Sequence, residues 1–196
     1  MRWARSVPLW ATGARDVFRL THAAPGFGDR VAARVRLVRQ GVRLGIDVGK
    51  ARVGVARSDL HGILATPVET VARATSGTAD IERILAIALE VDATEFIVGL
   101  PLAMSGRSTP STDDASAFAL KLARAVSHPV RMIDERLTTV SAQAALHRTG
   151  KNTKNSRPVI DQVAAVILLQ HALDVERSTG NPPGLPVDPN QGPHSD

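Results

Sequence analysis

The chain has 196 residues, 43% of them apolar and 22% charged, with no Cys and a formal net charge of +5. A chain of this length can hold a core without covalent staples, since a domain of ~150 residues buries about 70% of its unfolded surface. The missing cysteines exclude disulfides, thiolate zinc sites and a Cys nucleophile, so any metal must be held by carboxylate, His or water.

The charge is unevenly placed. Residues 1–40 carry eight Arg against Asp16 and Asp29, which leaves sixteen Lys/Arg against seventeen Asp/Glu in residues 41–196. A nucleic-acid role for the rest of the chain therefore needs local basic patches, not net charge. The arginine-rich leader, residues 1–41, shows no sustained period, and its short apolar stretch from Val7 to Ala11 contains Pro8. That falls short of the ~7–15 residues of a secretory apolar region. It reads as disordered, or as translation from a start codon set too far upstream. No run approaches the ~18 apolar residues of a membrane span, so no membrane partner is expected.

From Val42 the pattern sharpens. Leu44 and Ile46 alternate, a glycine-bearing turn follows at Val48 to Ala51, and Val53 and Val55 alternate again, which predicts a hairpin. Asp59 to Gly62 is a turn, and Leu64 to Val71 is a third strand whose Pro67 suits a sheet edge. Asp80 to Val91 repeats apolar residues at helical spacing. Phe96-Ile97-Val98 is an apolar run typical of a strand buried on both faces. A helix from Ser111 to Ala125, a strand from Val130 to Asp134 and a helix from Thr139 to His147 continue the alternation. Pro158 opens a last helix to about Arg177, apolar almost all round. Residues 178–196 are rich in Pro and Gly and read as a disordered tail. The order predicts one α/β domain over residues 42–177, a mixed five-stranded sheet of three antiparallel and two parallel strands flanked by helices.

Three acidic positions stand out. Asp47 ends the first strand, although Asp is disfavoured in strands and could simply begin the turn. Asp134 and Glu135 end a buried strand at the carboxyl edge, where α/β sheets place ligands. Successive residues point to opposite faces, so only one of the pair can aim at a given site. Asp161 is a charged residue within an apolar helix, although a first-turn Asp is also favoured by the helix dipole. Together the three can converge on one edge. Hard oxygen ligands without Cys suit Mg2+ or Mn2+, and two such ions ~3.5–4 Å apart serve phosphodiester cleavage.

The basic segment His147 to Arg157 supports a phosphate-bearing substrate through Arg148, Lys151, Lys154 and Arg157, and Arg107 lies in a polar loop after Gly99-Leu100-Pro101. No Walker A or G-x-G-x-x-G pattern occurs. Beyond the leader the only aromatics are Phe96 and Phe118, so base stacking is not the expected mode and recognition should rest on backbone charge and shape.

Gly45-Ile46-Asp47-Val48-Gly49 with Arg52-Val53-Gly54-Val55-Ala56, then Val98-Gly99-Leu100-Pro101, Asp134-Glu135-Arg136-Leu137-Thr138-Thr139, and Asp161 before Ala164-Ala165, together resemble the YqgF family, also called RuvX. The resemblance spans about residues 43–177. It implies an RNase H-like fold related to RuvC resolvases, a cytoplasmic location, and a nuclease that matures the 5′ end of pre-16S rRNA. Some members are instead viewed as Holliday-junction resolvases acting on branched DNA, a reading that predicts a homodimer. A third reading is an RNA-binding assembly factor without catalysis. The family's acidic positions carry over onto Asp47, Glu135 and Asp161, with Asp134 in reserve. Where RuvC would bring an acidic ligand on the fourth strand, this chain has Gly99-Leu100-Pro101. A nucleotide-binding module of the actin type also opens on an Asp-x-Gly hairpin, but Lys50 stands where those proteins usually have Thr.

Overall fold

The computed structural model describes residues 39–137 and 157–190. Three antiparallel strands open the domain, β1 (Val42–Val48), β2 (Arg52–Ser58) and β3 (Ala65–Ala72). Then α1 (Ala79–Glu90) leads into β4 (Ala93–Leu100), and α2 (Pro110–Ala125) into β5 (Val130–Asp134). A short 3-10 turn, Glu135–Leu137, follows β5, and α3 spans Arg157–Thr179. The sheet order is β3-β2-β1-β4-β5 with a sixth strand beyond β5, and β4 runs parallel to both β1 and β5. This is the mixed sheet of antiparallel and parallel strands expected from the sequence, with one strand more.

The extra strand is β6, Leu185–Pro186, which pairs antiparallel with Arg131 and Met132. It lies within residues 178–196, expected as a disordered tail, and α3 also runs two residues past the expected end at 177. Two residues carry no periodicity to read. Their attachment comes instead from Arg131, whose Nη2 donates to the Gly184 carbonyl at 2.9 Å. Pro67 does lie on an edge strand, opposite Ala56 where the β2–β3 register shifts. The helix expected over 139–147 lies outside the described residues.

Alternation along the strands splits the core into two layers. Leu44, Ile46, Val53, Val55, Phe96 and Val98 pack with α1 and α2 on one face. On the other face Ala56, Ile97 and Ile133 meet Ala165, Leu168, Leu169, Ala172 and Leu173 of α3. Helix α2 is fixed at its start by a capping box: the Thr109 hydroxyl accepts the Thr112 N–H while the Thr112 hydroxyl accepts the Thr109 N–H, with Pro110 at the first helical position.

A buried charge network locks α3 to the sheet at its far end. Arg43, Glu95 and Glu176 are each 2% exposed. Arg43 approaches Glu176 at 3.2 Å and Glu95 at 3.4 Å, and Arg39 reaches the same two carboxylates at 2.9 and 2.7 Å.

Candidate active site

The site is built from residues that share the α3 face. On β1, Leu44 and Ile46 point to α1 and α2, so Gly45 and Asp47 fall on the α3 side. There the helix comes close because glycine lets it. A Cβ on Gly45 would press on Leu169, and one on Gly54 would meet the Asp161 carbonyl oxygen well inside contact distance. Gly54 is the direct cross-strand partner of Asp47. The backbone of Asp161 therefore rests on the strand beside Asp47, and the two carboxylates repel each other. Asp161 lies past the first turn of α3, so a helix-dipole role in that turn does not account for it.

Glu135 enters from the other side. It follows β5 in the 3-10 turn, and its carboxyl lies over Gly99 of β4, where a Cβ would collide with Oε1. The Gly-Leu-Pro sequence thus clears room for the carboxylate of Glu135, brought in by the turn after β5. Burial raises the Asp47 carboxyl to about 6, with repulsion from Asp161 adding to it. Burial likewise raises Glu135 to about 7, helped by the charges of Asp47 and Asp134.

Asp134 faces away from this pair. Arg136 forks onto it, with Nε at 3.0 Å from both oxygens and Nη2 at 2.6 Å, and its backbone N–H donates to Oδ1 at 3.0 Å. That clamp holds the Asp134 carboxyl below the usual carboxylate range. Of the adjacent acids it is Glu135 that joins Asp47.

Arg107 sits in the loop after β4. The Ala103 N–H donates to the Arg107 carbonyl at 3.0 Å and the Gly106 N–H to the Ala103 carbonyl at 2.7 Å, with Gly106 at φ +83°. The loop passes beside Arg136, whose Nη1 would be 3.2 Å from a Cβ on Gly106. Arg148, Lys151 and Lys154 lie outside the described residues, and Arg157 opens α3 with its side chain outside them as well.

Sequence reasoning missed Arg52, whose Nε donates to Asp161 Oδ2 at 2.6 Å. Its signal was parity, two residues before Gly54 and so on the same face. Among the described residues no group of three His, Asp or Glu side chains is gathered closely enough to hold a metal ion. The convergence expected of Asp47, Glu135 and Asp161 is therefore one of face and charge, with Arg52 standing at the third member. Desolvated carboxylates that repel one another, with hard oxygen donors and no thiolate, still fit a hard divalent cation at Asp47 and Glu135.

A mixed sheet with carboxylates at the ends of its first and fifth strands defines an α/β protein with an acidic site at one sheet edge. The family described as "RuvX: Holliday junction resolvase" matches residues 41–175. The chain belongs to the RuvX family. It is 61% identical over 154 residues to a protein of Clavibacter michiganensis named as a proposed pre-16S rRNA nuclease, covering 79% of this chain and 96% of that one. A protein of Leifsonia xyli with the same name is 61% identical over 156 residues, covering 80% of this chain and 100% of that one. One similar solved structure is T. thermophilus RuvC in complex with Holliday junction substrate, at 17% identity and a TM-score of 0.47, covering 75% of this chain and 99% of that one.

Proposed function

We propose that this chain is a metal-dependent endonuclease that hydrolyses phosphodiesters, acting in 5′-end processing of pre-16S rRNA in the cytoplasm. The observation that carries the chemistry is the desolvated, mutually repelling pair Asp47 and Glu135 on one face of the sheet. The substrate follows from the relatives named as proposed pre-16S rRNA nucleases.

Asp47 and Glu135 would hold Mg2+ or Mn2+, with Asp161 beside them and Asp134 kept in place by Arg136. A divalent ion supplies there a Lewis acid for activating water and for stabilising the leaving oxygen. The chain's own side chains do the rest. Asp47 opposite Gly54 on β1, and Glu135 over Gly99 in the turn directly after β5, fix two oxygen donors against the sheet. Arg107, with Arg148, Lys151, Lys154 and Arg157, would bind backbone phosphates, setting register without reading bases.

The test is single-turnover cleavage of a labelled pre-16S leader RNA and of a four-way DNA junction, with Mg2+ or Mn2+, by wild type and Asp47→Asn. Cutting of the RNA alone, lost in the variant, supports this function. A second reading, resolution of Holliday junctions, is favoured by the family's description. It predicts cutting of the junction and a dimer in sedimentation, because paired symmetric nicks need two sites. Binding of RNA with no cleavage under either metal would leave a non-catalytic assembly factor.

A further inference from the structure

Arg52 leaves the turn between β1 and β2 on the α3 face and meets Asp161 through Nε at 2.6 Å. The contact is half open, with 38% of the Arg52 side chain and 27% of Asp161 exposed. It differs from the Arg136 fork on Asp134, which engages both carboxylate oxygens. A guanidinium in this place is a cation held at the edge of a carboxylate site. It satisfies Asp161 and, by Coulomb repulsion over a few ångström, disfavours a divalent ion drawing on the same carboxylate. Guanidinium groups also bind phosphate in a two-point geometry that the present contact does not use. An arriving phosphodiester thus offers Arg52 a two-point contact in place of the single one it makes to Asp161.

We propose that Arg52 is a positioning residue, a built-in counter-cation that holds Asp161 until a substrate phosphodiester draws it away, so that completion of the cation site is coupled to substrate binding. The inference rests on the metal-dependent reading above. Before substrate arrives, Asp47 and Glu135 would hold the cation; with Arg52 turned to the phosphate, Asp161 would be released to serve as a third oxygen donor. Linkage makes the coupling reciprocal, so the cation must raise affinity for the phosphodiester by the same factor.

The experiment uses the full chain at fixed pH and ionic strength, with Mn2+ affinity read from the electron paramagnetic resonance of free Mn2+. Oligonucleotide affinity is read by fluorescence anisotropy of a labelled phosphorothioate strand with and without Mn2+. Arg52→Ala is expected to tighten Mn2+ binding about tenfold and to lose most of the Mn2+ enhancement of strand binding, while Arg52→Lys keeps the wild-type behaviour of both. Arg52→Gln, which keeps the stem, is read beside it so that a folding defect in the Ala variant does not decide the outcome. Mn2+ affinity within about twofold of wild type in both neutral variants would overturn the proposal. Equal tightening in Lys50→Ala, which removes a charge from the same turn, would overturn it too by assigning the effect to net charge. Absence of Mn2+ binding in every form would remove the metal-dependent reading itself, and this inference with it.

Discussion

Adding one methyl group at Gly99 should displace the Glu135 carboxylate while leaving the fold in place. The new Cβ would lie about 1.6 Å inside van der Waals contact with Glu135 Oε1, and the next nearest atoms belong to the same side chain. The far end of a glutamate can rotate away, and exchanging Gly for Ala restricts the unfolded chain, an effect of about 0.4–1 kcal/mol in the stabilising direction. The net change in stability should stay within about 1 kcal/mol, or roughly 2–4 °C in Tm for a chain of this size. The carboxylate, however, must move by more than about 1 Å, a misplacement that costs on the order of 100-fold in rate.

Gly54→Ala provides the contrast. Its Cβ meets the Asp161 carbonyl oxygen, which is backbone, so α3 itself must lift from β2. Overpacking of that kind costs about 1–3 kcal/mol and should lower Tm by several degrees, with activity falling as well. The assay is single-turnover cleavage of the leader RNA at saturating Mn2+, paired with thermal melting of each variant. Wild-type cleavage by Gly99→Ala, or a loss of stability equal to that of Gly54→Ala, would refute the placement of Glu135 over Gly99.

The raised carboxyls give a pH dependence of unusual sign. With Asp47 at about 6 and Glu135 at about 7, both above their unfolded values, the metal-free folded chain holds protons that the unfolded chain releases. Linkage then makes it more stable as pH falls from about 8 towards about 5, and the Asp47→Asn, Glu135→Gln double variant should lose that part of the slope in melts with chelator. An unchanged slope would contradict the assignment. Metal-dependent cleavage should run the opposite way, rising as pH passes from about 6 to about 7, because a cation must displace those protons. Arg43→Ala leaves the buried Glu95 and Glu176 to the more exposed Arg39, so urea unfolding should report a loss of up to about 3–5 kcal/mol. Because Arg43 lies near the start of β1 while Asp47 lies near its end, the folded fraction should cleave normally. Replacing Arg148, Lys151, Lys154 and Arg157 by Gln should flatten the salt dependence of RNA binding, by about 0.7–0.9 in the log–log slope for each phosphate that is no longer neutralised.

Much of this protein is written in short-range pattern. Alternation in residues 44–55, the helical spacing after Asp80 and the apolar run at Phe96 were enough to place β1, β2, α1 and β4 in order. The same rule of two narrowed Asp134 and Glu135 to one site residue without saying which, because parity names faces only relative to a neighbour. Gly99, on a different strand, decided it by leaving the space that Glu135 fills, while Arg136 took Asp134. Arg52 and Asp161 are 109 positions apart, and no local period links them. The same holds for Arg43 with Glu176, and for Leu185–Pro186 with β5. Propensity and periodicity are properties of neighbouring residues, so the sequence determined the elements, their order and the acidic residues available for chemistry. Which carboxylate faces which cation depends on how closely α3 approaches Gly45 and Gly54, and that distance exists only once the sheet and the helix are packed together.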